Sequence, residues 1–169
     1  MMTDELESFI NNTKHIILDS ELLILILAGL CDKGFIKQIK STKKFSEENY
    51  EKLSSILSKF KIIMTTSHIL AEFSNLNRDT HTKKDNNYYR KELFEKFKEL
   101  LQDEYLQEEL IDITELTEDR SFNRLGVADI GIKKISKNKD YGVITADLNL
   151  YLDLLNSEIN CINFSHFME

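Results

Sequence analysis

The sequence predicts an α/β protein in which a parallel sheet is covered by helices on both faces. Four short runs rich in Ile and Val carry that expectation: HIIL at 15–18, KIIMTT at 61–66, YGVIT at 141–145 and INCINF at 159–164. A weaker fifth candidate, ELIDIT, lies at 109–114. Longer stretches of helical period separate the runs, and strand, helix, strand repeated in that way implies parallel pairing. The length, 169 residues, suits one compact domain with a core of its own.

In chain order, an acidic, polar leader of about fourteen residues precedes the first strand. An apolar helix is expected over 21–31. Its uninterrupted apolar run, 22–30, is well short of the roughly 20 residues that span a bilayer. An amphipathic helix over 46–59 follows, with Ser46, Glu47 and Glu48 as its start signal. After the second strand comes a helix at 67–77, then the polar stretch NRDTHTKKDNN, expected to be a mobile loop, and a charged helix at 88–104. Helices over 121–137 and 148–156 flank the fourth strand. There is no internal repeat, no proline, and five glycines. The whole of 1–169 is expected to be a single domain, with 77–109 as an extended helical insertion.

Composition narrows the function classes. At 41% hydrophobic and 30% charged residues the chain is globular, and its formal net charge of −7 excludes a uniformly basic nucleic-acid-binding surface. Basic pairs at Lys43-Lys44, Lys83-Lys84, Arg90-Lys91 and Lys133-Lys134 leave room for a local basic stripe, although solvated helix faces are the plainer reading. Two cysteines without CxxC spacing suggest neither a zinc site nor a disulfide framework, and the polar N-terminus does not read as an export signal. A cytoplasmic protein with no membrane segment is expected.

Four acids stand out. In a parallel sheet the ligand site lies beyond the carboxyl ends of the strands. Asp19 ends HIILD and Asp147 follows VIT, each directly before a helix; the bland alternative is a helix N-cap. Glu72 falls in the stripe Ile69, Phe73, Leu76, and Asp129 in the stripe Leu125, Ala128, Ile132, Ile135. A carboxylate on a core-facing stripe is costly unless it is paired or binds metal. Arg124 at the edge is the one cation placed to reach them. Four acids without fixed cationic partners point to a shared divalent ion, and oxygen-only ligation favours Mg2+ or Mn2+.

Other residues carry less. His68, four residues before Glu72, suits a cap or packed position, and Asp32, Asp112, Asp140 and Asp153 suit solvated turns or faces. The absence of GxGxxG, GxxxxGK[ST] and GxSxG removes dinucleotide, P-loop and serine-esterase chemistry.

With its acids in this order the chain resembles the PIN-domain family, which includes the ribonuclease toxins of bacterial toxin-antitoxin pairs. HIILDSELLI resembles the family's opening strand and first metal-binding Asp. TTSHILAEF resembles the second strand and acidic helix, FNRLGVADIGI the helix of the third acid, and GVITADLNLY the fourth strand and last Asp. The resemblance covers most of the chain. It implies an α/β/α sandwich with a five-stranded parallel sheet in order 3-2-1-4-5, metal held by Asp19, Glu72, Asp129 and Asp147, and supporting hydroxyls at Ser20 and Thr145. The leader and the 77–109 segment depart from the small toxins, and suit a dimer surface, an inhibitor seat or a cover over the substrate groove.

The function implied is Mg2+- or Mn2+-dependent hydrolysis of RNA, with DNA as the alternative substrate and 5′-phosphate products. Lys83, Lys84 and Arg90 are the expected contacts to flanking phosphates. The expected partners are RNA, a cognate antitoxin or other inhibitor protein, and a second copy of the chain in a homodimer. Two rivals compete: a catalytically silent scaffold of the same fold, and a phosphatase-like or receiver-like enzyme. The latter wants DxD or a lysine after a late strand, and DSELL and INFSH supply neither.

Overall fold

A computed structural model describes residues 4–76 and 86–168. Five strands form one sheet in the order β3-β2-β1-β4-β5: β1 (His15–Leu18), β2 (Ile63–Thr65), β3 (Leu106–Glu108), β4 (Tyr141–Thr145) and β5 (Cys161–Asn163). Every adjacent pair is parallel, with Ile17 beside both Met64 and Val143. The strand order and the α/β layering are those expected.

The helices are α1 (Asp4–Asn11), α2 (Ser20–Cys31), α3 (Phe35–Gln38), α4 (Glu47–Leu57), α5 (Ser67–Leu76), α6 (Asn86–Gln102), α7 (Ile113–Thr117), α8 (Phe122–Leu125), α9 (Val127–Ile135) and α10 (Leu148–Asn156). A 3-10 turn, Phe164–Phe167, follows β5. From β1 the chain steps outward through β2 to β3, then returns to place β4 on the other side of β1. Helices α3 to α6 pack around α2, which lies over β1, while α10 packs on β4 and β5. None of the described helices is long and apolar enough to cross a membrane.

Helix α2 is the centre of the core. Its residues Leu22 to Ala28 are all buried, because it lies over β1 and is covered by α3, α4, α5 and α6. A helix that is apolar all round must be enclosed in this way. The long charged helix α6 supplies part of the cover: Leu93 is fully buried, and Phe94 and Phe97 pack against Phe73 of α5. The insertion therefore spends its apolar face on the core. The leader likewise forms α1, which buries Leu6 and Phe9. A side chain at Gly142 of β4 would meet Thr13 Oγ1 at 2.3 Å and Phe9 at 2.8 Å, so glycine is what lets this segment lie on the sheet.

Two expectations are corrected. The third strand is Leu106–Glu108, not 109–114. Leu106 is buried beside Ile63, whereas Leu110 is 82% exposed, and Asp112 accepts a bond from Thr114 N and caps α7. The alternation of 109–114 imitated a strand that the cap prevents. The helix expected over 121–137 is two helices, broken at Gly126, whose φ of 86° lies in the left-handed region open to glycine. That break puts Asp129 in the first turn of α9.

Candidate active-site cleft

Where β1 and β4 lie side by side, their outgoing chains diverge, and the crevice between them is the natural ligand position in an open parallel sheet. A cleft of about 390 Å³ opens there. Asp19, Ser20, Glu72, Asp129 and Asp147 all line it. Four separate segments of sequence thus deliver the four expected acids to one place.

Asp19 follows β1 directly and is buried. Its Oδ1 accepts from Leu22 N at 2.8 Å as the N-cap of α2, and its Oδ2 accepts from Thr145 Oγ1 at 2.6 Å and Ala146 N at 2.8 Å. Burial pushes its carboxyl above the ordinary range, opposed by the Thr145 hydroxyl and the two backbone N–H groups. Asp147 is the N-cap of α10, and its Oδ1 accepts from Asn149 N and Leu150 N at 2.6 and 3.0 Å. The Thr145 hydroxyl joins the two, donating to Asp19 and accepting from Asp147 N at 3.0 Å. Each aspartate is therefore both a cap, the bland reading, and a cleft-lining acid.

Asp129 is half-buried and makes neither a hydrogen bond nor an ion pair to any described residue. Its carboxyl is pushed up from 3.8 to about 7, first by burial and then by the charges of Glu72, Asp147 and Asp19. Glu72 departs from the expectation that it interrupts a buried stripe. Ile69 and Phe73 point into the core, while Glu72, about 100° from Phe73 around the helix, is exposed on the cleft wall. Ser20 Oγ donates to Glu72 Oε2. Ser20 and Thr145 thus each donate a hydrogen bond to one of the cleft acids, Glu72 and Asp19 respectively.

Arg124 does not neutralise these acids. With Lys133 it pairs with Asp153, which is buried rather than solvated as expected, and Lys133 also reaches Asp119. This ion network ties α8, α9 and α10 together. Asp153 Oδ2 lies 2.7 Å from Lys133 Nζ, whose charge satisfies it.

Of the expected phosphate contacts, Lys83 and Lys84 lie outside the described residues, as does most of the stretch expected to be a mobile loop. Arg90 is on α6 with its guanidinium over the Phe94 ring, 5.3 Å from the centroid, and is not among the residues lining the cleft. The cation in the cleft wall is Lys44, paired with Glu21. Nothing in the sequence marked Lys44 beyond the basic pair it forms with Lys43, because its position depends on the turn that connects α3 to α4.

The donor set, oxygen only and from four carboxylates, fits a hard divalent cation. Asp147 Oδ2 and Glu72 Oε1 accept no hydrogen bond from the described residues, leaving lone pairs for a ligand. Among the described residues no three acidic, His or Cys side chains close on one point as metal ligands.

No protein-family model matches the chain, and no curated protein matches it by sequence. Among solved structures it is similar to a domain of a functionally unknown protein from Methanocaldococcus jannaschii DSM 2661, at 16% identity over 89% of this chain and 91% of that one, with a TM-score of 0.45.

Proposed function

We propose that this protein is a metal-dependent nuclease of the PIN-domain type that hydrolyses RNA, using Mg2+ or Mn2+ held by Asp19, Glu72, Asp129 and Asp147. One observation carries the reading: four carboxylates from four segments line one cleft at the point where the strand order reverses, and Asp129 among them has no cationic partner. An acidic cluster that no lysine or arginine neutralises is unfavourable in a folded protein unless a cation joins it.

A bound divalent ion supplies Lewis acidity to a phosphoryl oxygen and acidifies a water molecule. The chain supplies the rest. Thr145 and the backbone N–H groups of Leu22 and Ala146 hold Asp19 rigid, so its one free lone pair, on Oδ1, has a fixed direction. Glu72 is exposed and tethered through Ser20, which leaves its other oxygen able to follow a ligand. Asp129, whose carboxyl burial and the neighbouring acids push up to about 7, would give up its proton when it helped to hold a cation.

The test is cleavage of a panel of single-stranded and structured RNAs with Mg2+, Mn2+ or EDTA. Asp147→Asn and Asp129→Asn are the variants to compare. At Asp147 one oxygen accepts both cap N–H bonds, so an amide keeps the cap. Cutting that needs metal and is lost in both folded variants supports the reading. Absence of metal binding by the wild type overturns it.

A further inference from the structure

We infer that Lys44 is the cation that grips a backbone phosphate of the nucleic acid in this cleft, and that Glu21 competes with the phosphate for it. The inference rests on the nuclease reading and names the part of the site that recognises the substrate's anionic backbone.

Lys44 is the one cation among the described residues that line the cleft, whose other charged members are Asp19, Glu21, Glu72, Asp129 and Asp147. A phosphodiester approaching five carboxylates meets repulsion unless a positive charge lies beside the metal position. Lys44 is placed for this by a rigid turn. Thr42, fully buried, donates its hydroxyl to Ile36 O at 2.8 Å, Phe45 N donates to Thr42 O at 2.9 Å, and Lys37 Nζ donates to Lys43 O at 3.0 Å. Phe45 is fully buried, and Lys44 Nζ lies 5.1 Å from its ring centroid. The root of the side chain is fixed while its tip stays in water, with about half of the side chain exposed.

The Glu21 pairing is a latch of modest strength. Glu21 Oε2 and Lys44 Nζ are 2.5 Å apart, with side chains 34% and 49% exposed. Pairs so exposed hold weakly, because water screens them and two long side chains lose freedom. A phosphate oxygen offers the ammonium an equivalent partner. The exchange leaves Glu21 an unpaired anion beside the incoming chain, so Glu21 lowers affinity. A non-scissile phosphate is held equally before and during bond cleavage, so its loss raises KM and leaves kcat alone.

The experiment is fluorescence titration of a single-stranded RNA oligonucleotide with Ca2+ present, across a range of NaCl concentrations, alongside RNA cleavage kinetics with Mg2+. Lys44→Ala should weaken binding about tenfold and reduce the salt slope by about 0.7, the value of one phosphate contact on a single strand. Lys44→Arg should restore both, and Glu21→Gln should tighten binding about two- to threefold. KM should rise in Lys44→Ala at constant kcat. Wild-type binding and salt slope in a folded Lys44→Ala overturn the inference, as does an unchanged affinity in Glu21→Gln. If cleavage is metal-dependent and Lys44 is neutral, the clamp fails and the nuclease stands. If RNA binds through Lys44 and is never cut, the nuclease reading fails and the clamp stands; if the wild type binds no RNA, both fall.

Discussion

Replacing Asp129 by Asn should make the metal-free protein more stable at pH 8 and leave it unchanged at pH 4. In the folded protein the Asp129 carboxyl keeps its proton to about pH 7, whereas in the unfolded chain it ionises near 3.8. Between those values the folded state binds more protons, so raising the pH weakens the wild type across that window. Above pH 7 the whole cost is present. A span of about 3 pH units at about 1.4 kcal/mol each sets a ceiling near 4 kcal/mol. Because the side chain is only half-buried, solvent screening reduces this to about 1–2 kcal/mol. Asp129 makes no hydrogen bond that the amide would forfeit, so the variant should escape the cost without a new one. Urea unfolding of both proteins at intervals from pH 4 to 8, in EDTA, reads the gap directly. It should open from nothing to about 1–2 kcal/mol, and Mn2+ should close it by stabilising the wild type alone. A gap independent of pH, or an Asn variant weaker than wild type at pH 8, would refute the account of Asp129 as a carboxylate held against its neighbours.

Two other substitutions probe how the cleft is held. Thr145→Val keeps the shape of a fully buried side chain but removes the donor to Asp19 and the acceptor for Asp147 N. It should cost about 2–4 kcal/mol in urea unfolding and lower Mn2+ affinity measured by calorimetry. Asp153→Asn removes the charge that Arg124 and Lys133 share. Burial pushes that carboxyl up, but Lys133, Ser121 and Arg124 more than offset it and hold it below the ordinary range. The loss should be about 2–3 kcal/mol at pH 7 and should shrink as the pH falls below 4, where the wild-type carboxyl also becomes protonated.

The sequence revealed the parts of this molecule whose signals are local. HIIL and YGVIT match β1 and β4 residue for residue, and 148–156 matches α10, because apolar runs bounded by caps leave little freedom. Asp19 and Asp147 were legible for the same reason: an acid directly after a buried strand has few places to be. Glu72 was found with its environment misjudged, since the helical stripe locates a side chain only to within about one position, or 100°. The segment 109–114 misled because Ile111 and Ile113 stand two apart, as on one face of a strand, while Asp112 enforces a cap. Lys44 and Asp153 were not legible as what they are. Their partners, Glu21 and the pair Arg124 and Lys133, depend on how separate helices dock, which no window of sequence contains.

The bond between Thr145 and Asp19 joins residues 126 positions apart, and this has a consequence for the protein's birth. The strand carrying Asp19 is made well before its neighbour β4 and the hydroxyl that orients the Asp19 carboxylate, which follows 126 residues later. Until about residue 147 has left the ribosome, the nascent chain has two or three of its acids and no cleft to hold them. The cleft is thereby assembled only when the centre of the sheet closes.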